Sequence, residues 1–441
     1  MKPLFGFLVL SVALVPVLAQ DSHQAAATPS AVLLPGMGNH HHRISTTSPD
    51  AQKFFDQGLI MVYGFNREEA VRSFQRAAEL DPNSPMPYWG MALASGFHLN
   101  MDLDMDVQAN AAFAAIQKAL ARTSHAPQNE RDYVAALAYR CSSNPHADRS
   151  KLETDYKNAM ADLAARYPDD TDAATLYAES WMDVYHYEWF DAAGRPKPGV
   201  EDILTLLESV MRREPDHPGA NHFYVHVLDS SPHPERALAS ANRLSYVAPG
   251  VGHLAHMGGH IFWTVGDYEM AARVNELAAQ SDRDYMRLTG VDSVYTQSYY
   301  THDLHFVARA NAELGHSEPA RAAADLIAEH VAPAYADMPG MVDIFSSNPF
   351  LVRLRLQRWD DVLHYPAPDP RMRTSTALWH YARALAFLAL GNRLAAVDEQ
   401  LAFIKAGQDV PAKTEFFFNP PGKLIQIASA VLDARFATES D

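Results

Sequence analysis

The chain has 441 residues, 48% of them hydrophobic, and one cysteine, Cys141. No intrachain disulfide can form, so the fold must stand on its hydrophobic core. A formal net charge of −17 argues against nucleic acid and anionic membrane surfaces as partners.

Residues 1–19 read as a secretory signal peptide. Lys2 supplies the charged start, Leu4 to Leu18 is an apolar run too short for a membrane span, and Val17-Leu18-Ala19 resembles a small-residue cleavage site before Gln20. Cleavage there predicts a periplasmic or secreted chain with no stable membrane insertion. Residues 20–47 are rich in Ala, Ser, Pro, Gly and His and read as a flexible leader. The triplet His40, His41 and His42 falls inside it and is expected to be mobile.

From residue 48 to 435 the pattern is helical and repetitive. In Ala51 to Asn83, small residues at Gly58 and Ala70 let two helices approach closely, Phe74 fills the gap to the next unit, and Pro82 ends the second helix. With Phe54 and Ala77, these positions resemble the tetratricopeptide repeat (TPR) family. Met86 to Ala92 opens a second unit. Arg166 to Asp169 and Arg213 to Asp216 read as helix ends with turns, and Gly266-Asp267-Tyr268 and Leu390-Gly391-Asn392 as tight turns between helices. The resemblance implies an all-α fold, a TPR-type right-handed superhelix of antiparallel helix pairs, roughly eight of them.

Four stretches are also similar to a group of exported bacterial TPR proteins with a histidine-rich groove: Phe54 to Leu59, Tyr63 to Asn66, Asn221 to His226 and Gly252 to Met257. That likeness supports the fold and implies no particular activity.

The chemistry concentrates in the histidines. His222 and His226 are spaced i, i+4, and so are His256 and His260, 34 residues further on (222 to 256, 226 to 260). Ala237 to Ala271 and Pro215 to Pro249 share that offset. A further unit lies 49 residues on: Gly266 maps to Gly315, Ala271 to Ala320, His253 to His302 and His256 to His305. At about 100° per residue, His253, His256 and His260 fall within about 60° of one another, as do the members of the other pairs. Seven histidines thus form stripes on the first helices of three successive units, the helices that line the concave groove.

Imidazole is the commonest transition-metal ligand, and an i, i+4 pair can bite one ion. The candidate metal ligands are His222, His226, His253, His256, His260, His302 and His305. Seven exceed the needs of one ion, so one or two are expected. With no usable thiolate, copper is favoured and zinc or iron stay open. Asp229 is placed to orient an imidazole from behind, and Asp303 is expected to point away from His302. Glu179 and Asp183, near His186, are read mainly as solvated or capping residues. His217 and His364 lie outside the stripes and are expected to be dispensable. Tyr224, Tyr299 and Tyr300 flank the stripes, and Trp89, Phe97 and His98 read as groove or core.

Two functions follow. One is a metalloprotein, extending to a copper- or iron-dependent oxidoreductase. The other is a non-catalytic scaffold that holds a peptide, protein or small molecule in its groove. There is no Gly-rich phosphate loop, no His-Glu-x-x-His and no Gly-x-Ser-x-Gly element, so phosphoryl transfer and serine hydrolysis have no support.

Overall fold

Helices begin in this chain where a short polar side chain can accept a hydrogen bond from a free backbone N–H. Ser48, Asn66, Asp148, Asp170, Asp267 and Asn392 each cap the residue three positions on. In a computed structural model, described over residues 31–100, 105–144, 146–411 and 420–438, these caps open an almost wholly helical chain.

The helices of the first half are α1 (Pro49–Tyr63), α2 (Arg67–Leu80), α3 (Met86–Ala94), α4 (Met105–Leu120), α5 (Gln128–Ala138), α6 (Arg149–Arg166), α7 (Thr171–Tyr185) and α8 (Val200–Arg213). The histidine region follows as α9 (Pro218–Asp229), α10 (Leu238–Val247), α11 (Gly252–Thr264), α12 (Tyr268–Thr289), α13 (Thr301–Glu313) and α14 (Ser317–Val331). The C-terminal part holds α15 (Pro339–Phe345), α16 (Asn348–Arg355), α17 (Trp359–His364), α18 (Arg373–Ala389), α19 (Arg393–Gln408) and α20 (Pro421–Thr438). Among the described residues there is no strand, only a bridge between Phe190 and Pro196. None of their helices is long and apolar enough to cross a membrane.

Consecutive helices pair: α1 with α2, α3 with α4, α11 with α12, α13 with α14 and α18 with α19. First helices also touch first helices, α7 with α9, α9 with α11 and α11 with α13. This is the expected all-α, TPR-type superhelix of antiparallel pairs. The small residues act as expected. A methyl group on Gly58 would sit 2.7 Å from the Phe74 ring and one on Gly90 2.5 Å from it, so Phe74 is gripped between α1 and α3. Gly266, Gly315 and Gly391 turn between paired helices at φ of +85°, +75° and +75°, where a side chain would be strained.

Two features depart from an open repeat. First, α1 reaches across to α9, and Phe65 in the turn after it packs against α9 and α11. Phe65 there is 2% exposed and holds a left-handed φ of +57°. That conformation is uncommon for a residue with a Cβ and is kept only where packing over-determines it.

Second, the expected flexible leader is packed from Ala31 onward and belongs to the same compact unit as the helices. Leu34 N–H donates to Gln57 Oε1, Gly250 N–H to the Gly36 carbonyl, and Ile44 N–H to Gln52 Oε1. Ala31, Leu34, His42 and Ile44 are buried. The composition that suggested flexibility misled because this strap borrows its core from α1 and from the α10–α11 junction. Residues 1–19, expected to be a signal peptide, and residues 20–30 lie outside the described residues.

Candidate metal centre

The seven histidines separate into two trios and a remainder. In the first, one ring nitrogen each of His222, His226 and His253 lies within 4.8 Å of the others; the second joins His256, His260 and His302 under the same limit. Each trio takes an i, i+4 pair from one first helix, α9 or α11, and a third imidazole from the next, α11 or α13. The third members, His253 and His302, are related by the 49-residue offset. The trio is therefore a repeated device.

His305 is not part of either. The offset that carries His256 to His305 carries His260 to Arg309, so the third unit lacks its pair. Burial and the Arg309 charge push the His305 imidazole down to about 4.

Ring orientations follow from what lies behind each imidazole. His222 Nδ1 is 2.5 Å from the Tyr63 carbonyl oxygen, which can only accept, so Nδ1 carries the proton and Nε2 a lone pair. Asn275 donates its Nδ2 to the Ala271 carbonyl and so presents Oδ1 to His256 Nδ1, at 2.7 Å. His260 Nδ1 lies 3.2 Å from Asp229 Oδ2. With both Nδ1 atoms protonated, the Nε2 lone pairs of His256 and His260 face each other at 3.0 Å. In the first trio, His222 Nε2, His226 Nε2 and both nitrogens of His253 are buried and have no hydrogen-bond partner.

Each trio is backed by one phenylalanine. Phe65 has its ring centroid 4.7, 5.7 and 5.4 Å from those of His222, His226 and His253. Phe306 stands 5.0, 4.8 and 5.2 Å from His256, His260 and His302. Tyr299 packs edge-on against His253 at 4.6 Å. Tyr224 turns outward to Glu208 and Tyr300 packs on His330.

Burial dominates the electrostatics. It pushes His222 and His256 down to about 3, and His226, His253 and His302 well below the ordinary range, with neighbouring imidazoles adding to the depression. All are neutral near pH 7, the form that ligates a metal.

Several expectations need correction. Asp303 contacts not His302 but His256, its Oδ1 3.1 Å from His256 Nδ1, and it is buried beside Asp282 rather than solvated. α13 packs against both α11 and α12, so residues 100° apart on it both meet a neighbour. Glu179 and Asp183 are not solvated. They are buried in ion pairs, with Arg67 at 2.6 Å and Arg140 at 2.7 Å. His186 meets the Leu99 carbonyl at 2.9 Å. Asp229 does orient an imidazole, but that of His260 rather than its helix neighbour His226.

His217 and the leader histidines build a separate cluster. Asp172 accepts from Tyr63 Oη at 2.5 Å, His42 Nδ1 at 2.7 Å and His40 Nε2 at 3.0 Å, with His217 Nε2 at 3.3 Å. His40 Nδ1 also reaches Glu214 at 3.1 Å. Burial alone would lower His40, but the Asp172 and Glu214 carboxylates outweigh it and raise the imidazole to about 10; His42 is raised in the same way. His217 Nδ1 accepts from Ala220 N–H at the start of α9, so its proton sits on Nε2 and no lone pair is left for a metal. The cluster is an ionic clasp. Repeat spacing had no means of showing it, because its members come from the leader, from two helix starts and from two helix ends.

Asn275 was missed, Tyr63 and Phe65 were marked only as part of the stretch Tyr63 to Asn66, and Phe306 was legible only as an aromatic flank of the histidines.

No protein-family model and no curated protein matches the chain. Among solved structures it is similar to a human IFIT1 dimer with m7Gppp-AAAA, at 13% identity over 83% of this chain and 78% of that one, TM-score 0.38. It is also similar to yeast Tom70, at 11% identity over 89% and 90%, TM-score 0.28, and to the P58(IPK) TPR domain, at 12% over 88% and 99%, TM-score 0.20. These likenesses are too distant to carry an argument, and the helix pairing described above establishes the fold by itself.

Proposed function

We propose that this is a metal-binding protein of TPR-type fold in which each histidine trio holds one transition-metal ion, copper favoured over zinc or iron. One observation carries the reading: in the second trio two imidazole lone pairs are turned toward each other, and in the first the ring nitrogens are buried close together with no partner. Two Nε2 acceptors at 3.0 Å repel unless something positive lies between them. An ion with metal–nitrogen distances of about 2.0–2.1 Å places its ligands about 3 Å apart. The Tyr63 carbonyl, Asn275 and Asp229 behind the rings are the usual supports of ligating imidazoles. The scaffold alternative loses ground because Tyr63 and Phe65 already pack against the histidine-bearing faces of α9 and α11 that a groove ligand would need. Oxygen chemistry is what an all-imidazole copper or iron site supports, and an oxidoreductase is the enzyme class to assay first. The reading also places the mature chain outside the cytoplasm, starting near Gln20, which intact-mass measurement on exported protein checks.

The direct test is elemental analysis of protein purified without an affinity tag and dialysed. About two equivalents of transition metal are expected, falling to one in His222→Gln and in His260→Gln. Protein that carries no metal, and gains neither bound metal nor thermal stability from copper, zinc, iron or nickel, overturns the reading.

A further inference from the structure

The two trios share a donor set and a place in the repeat, yet their surroundings differ in charge. His222 is 0% exposed, His253 1% and His226 6%, and a ring from Phe65 and another from Tyr299 close the first trio. Burial acts most strongly on its imidazoles, and the charges that add to it are those of other histidines, with His98 at His226 and the Arg67 guanidinium at His222. Its one support with a known partner, the Tyr63 carbonyl, is neutral. The second trio has the Asp229 carboxylate 3.2 Å behind His260, while Asp303, 3.1 Å from His256, is pushed by burial well above the usual carboxylate range and adds no fixed charge. His260 and His302 are half-buried, so water can reach that site.

Charge and coordination number then point the same way. The cost of burying an ion rises with the square of its charge, and a dication with no anion beside it is the most expensive case. A divalent ion such as zinc also needs a fourth ligand, commonly water, which the enclosed first trio does not offer. A monovalent ion content with three nitrogens meets neither obstacle. The second trio supplies both what a dication needs: the negative charge of Asp229 behind His260 and access to water.

Resting on the metal reading above, we infer that the sites are selective by charge: His222, His226 and His253 take monovalent copper, and His256, His260 and His302 take a divalent ion. The pair would be a mixed-valence or mixed-metal centre rather than two copies of one site.

The experiment uses the full chain without a tag, under nitrogen. Wild-type protein is first saturated with Zn(II), freed of excess, then titrated with Cu(I) against a bicinchoninate competitor. One zinc followed by one copper per chain, with the zinc retained, is the expected result. His260→Gln and His226→Gln, each checked for native helicity, then report the first and second trio alone. The ratio of Cu(I) to Zn(II) affinity should be at least a hundredfold higher in His260→Gln than in His226→Gln. Two zinc ions of similar affinity in the wild type, or equal ratios in the variants, overturn the charge selectivity while leaving metal binding intact. No uptake of either metal by the wild type overturns both.

Discussion

The histidine trios and the clasp around Asp172 are built from the same side chain at similar depth, yet they carry opposite charge states. His222 and His256 are pushed down to about 3, whereas His40, with its side chain 3% exposed, is raised to about 10. Burial lowers all of them. What differs is the company: Asp172 and Glu214 stand against His40, while His222 meets a carbonyl and other imidazoles. Against the ionised Asp172 the His40 imidazole is held as a cation, whereas His222, which meets only a carbonyl and other imidazoles, is held neutral and free to ligate. The two regions also touch, because Tyr63 gives its hydroxyl to Asp172 and its carbonyl to His222.

The strongest way to break the contrast is to remove the carboxylate. Asp172→Ala strips the buried His42 cation of its hydrogen-bonded carboxylate and leaves His40 with Glu214 alone, and should cost about 3–5 kcal/mol, the range for a broken buried pair. Urea denaturation measures it, and limited proteolysis should find new cuts in residues 31–47. An unchanged midpoint would mean the strap is held by its apolar contacts alone.

Protons test both halves at once. In metal-free protein, the unfolded state takes up protons at His222 and His256 below about pH 6.5 while the folded state does not. Stability should therefore fall as pH drops from 6.5 toward 3, by about 1.4 kcal/mol per pH unit for each histidine. His40 acts in the other direction. Its contribution is complete below its unfolded value near 6.5 and is lost as pH rises through 10. Urea midpoints between pH 4 and 9 should trace a dome, and bound metal should flatten its acid side. A flat acid limb in metal-free protein would show that the trio imidazoles are not held neutral.

Smaller effects sharpen the assignment. His217→Ala removes the α9 cap and one contact to Asp172 and should cost about 1–2 kcal/mol, with metal content unchanged, as thermal melts and elemental analysis would report. Asp229→Asn should alter stability by less than about 1 kcal/mol yet weaken metal binding at the second trio by roughly tenfold. Equal loss at both trios would contradict the division between them.

Much of the architecture was readable in the chain because repeat packing repeats its residues. Gly58, Ala70 and Phe74 mark one helix pair, and the 34- and 49-residue offsets mark others, since each unit must offer its neighbour the same surface. The histidine stripes were visible for the same reason. The supports behind them were not: Asn275 reaches His256 from the second helix of its pair, and Phe65 reaches the first trio from a left-handed turn far upstream.

The sequence alone, then, determined the helical repeat, the pairing of helices and the presence of three histidine-bearing first helices. These rest on periodicity, which is local. Only the tertiary structure decided that six of the seven histidines divide three and three, that Arg309 leaves His305 apart, and that residues 31–47 are a clasped strap. Those outcomes depend on partners far apart in the chain, 159 residues between His222 and Tyr63 and 132 between His40 and Asp172. A side chain's charge state is set by what lies within a few ångströms of it, and no spacing along the chain records that distance.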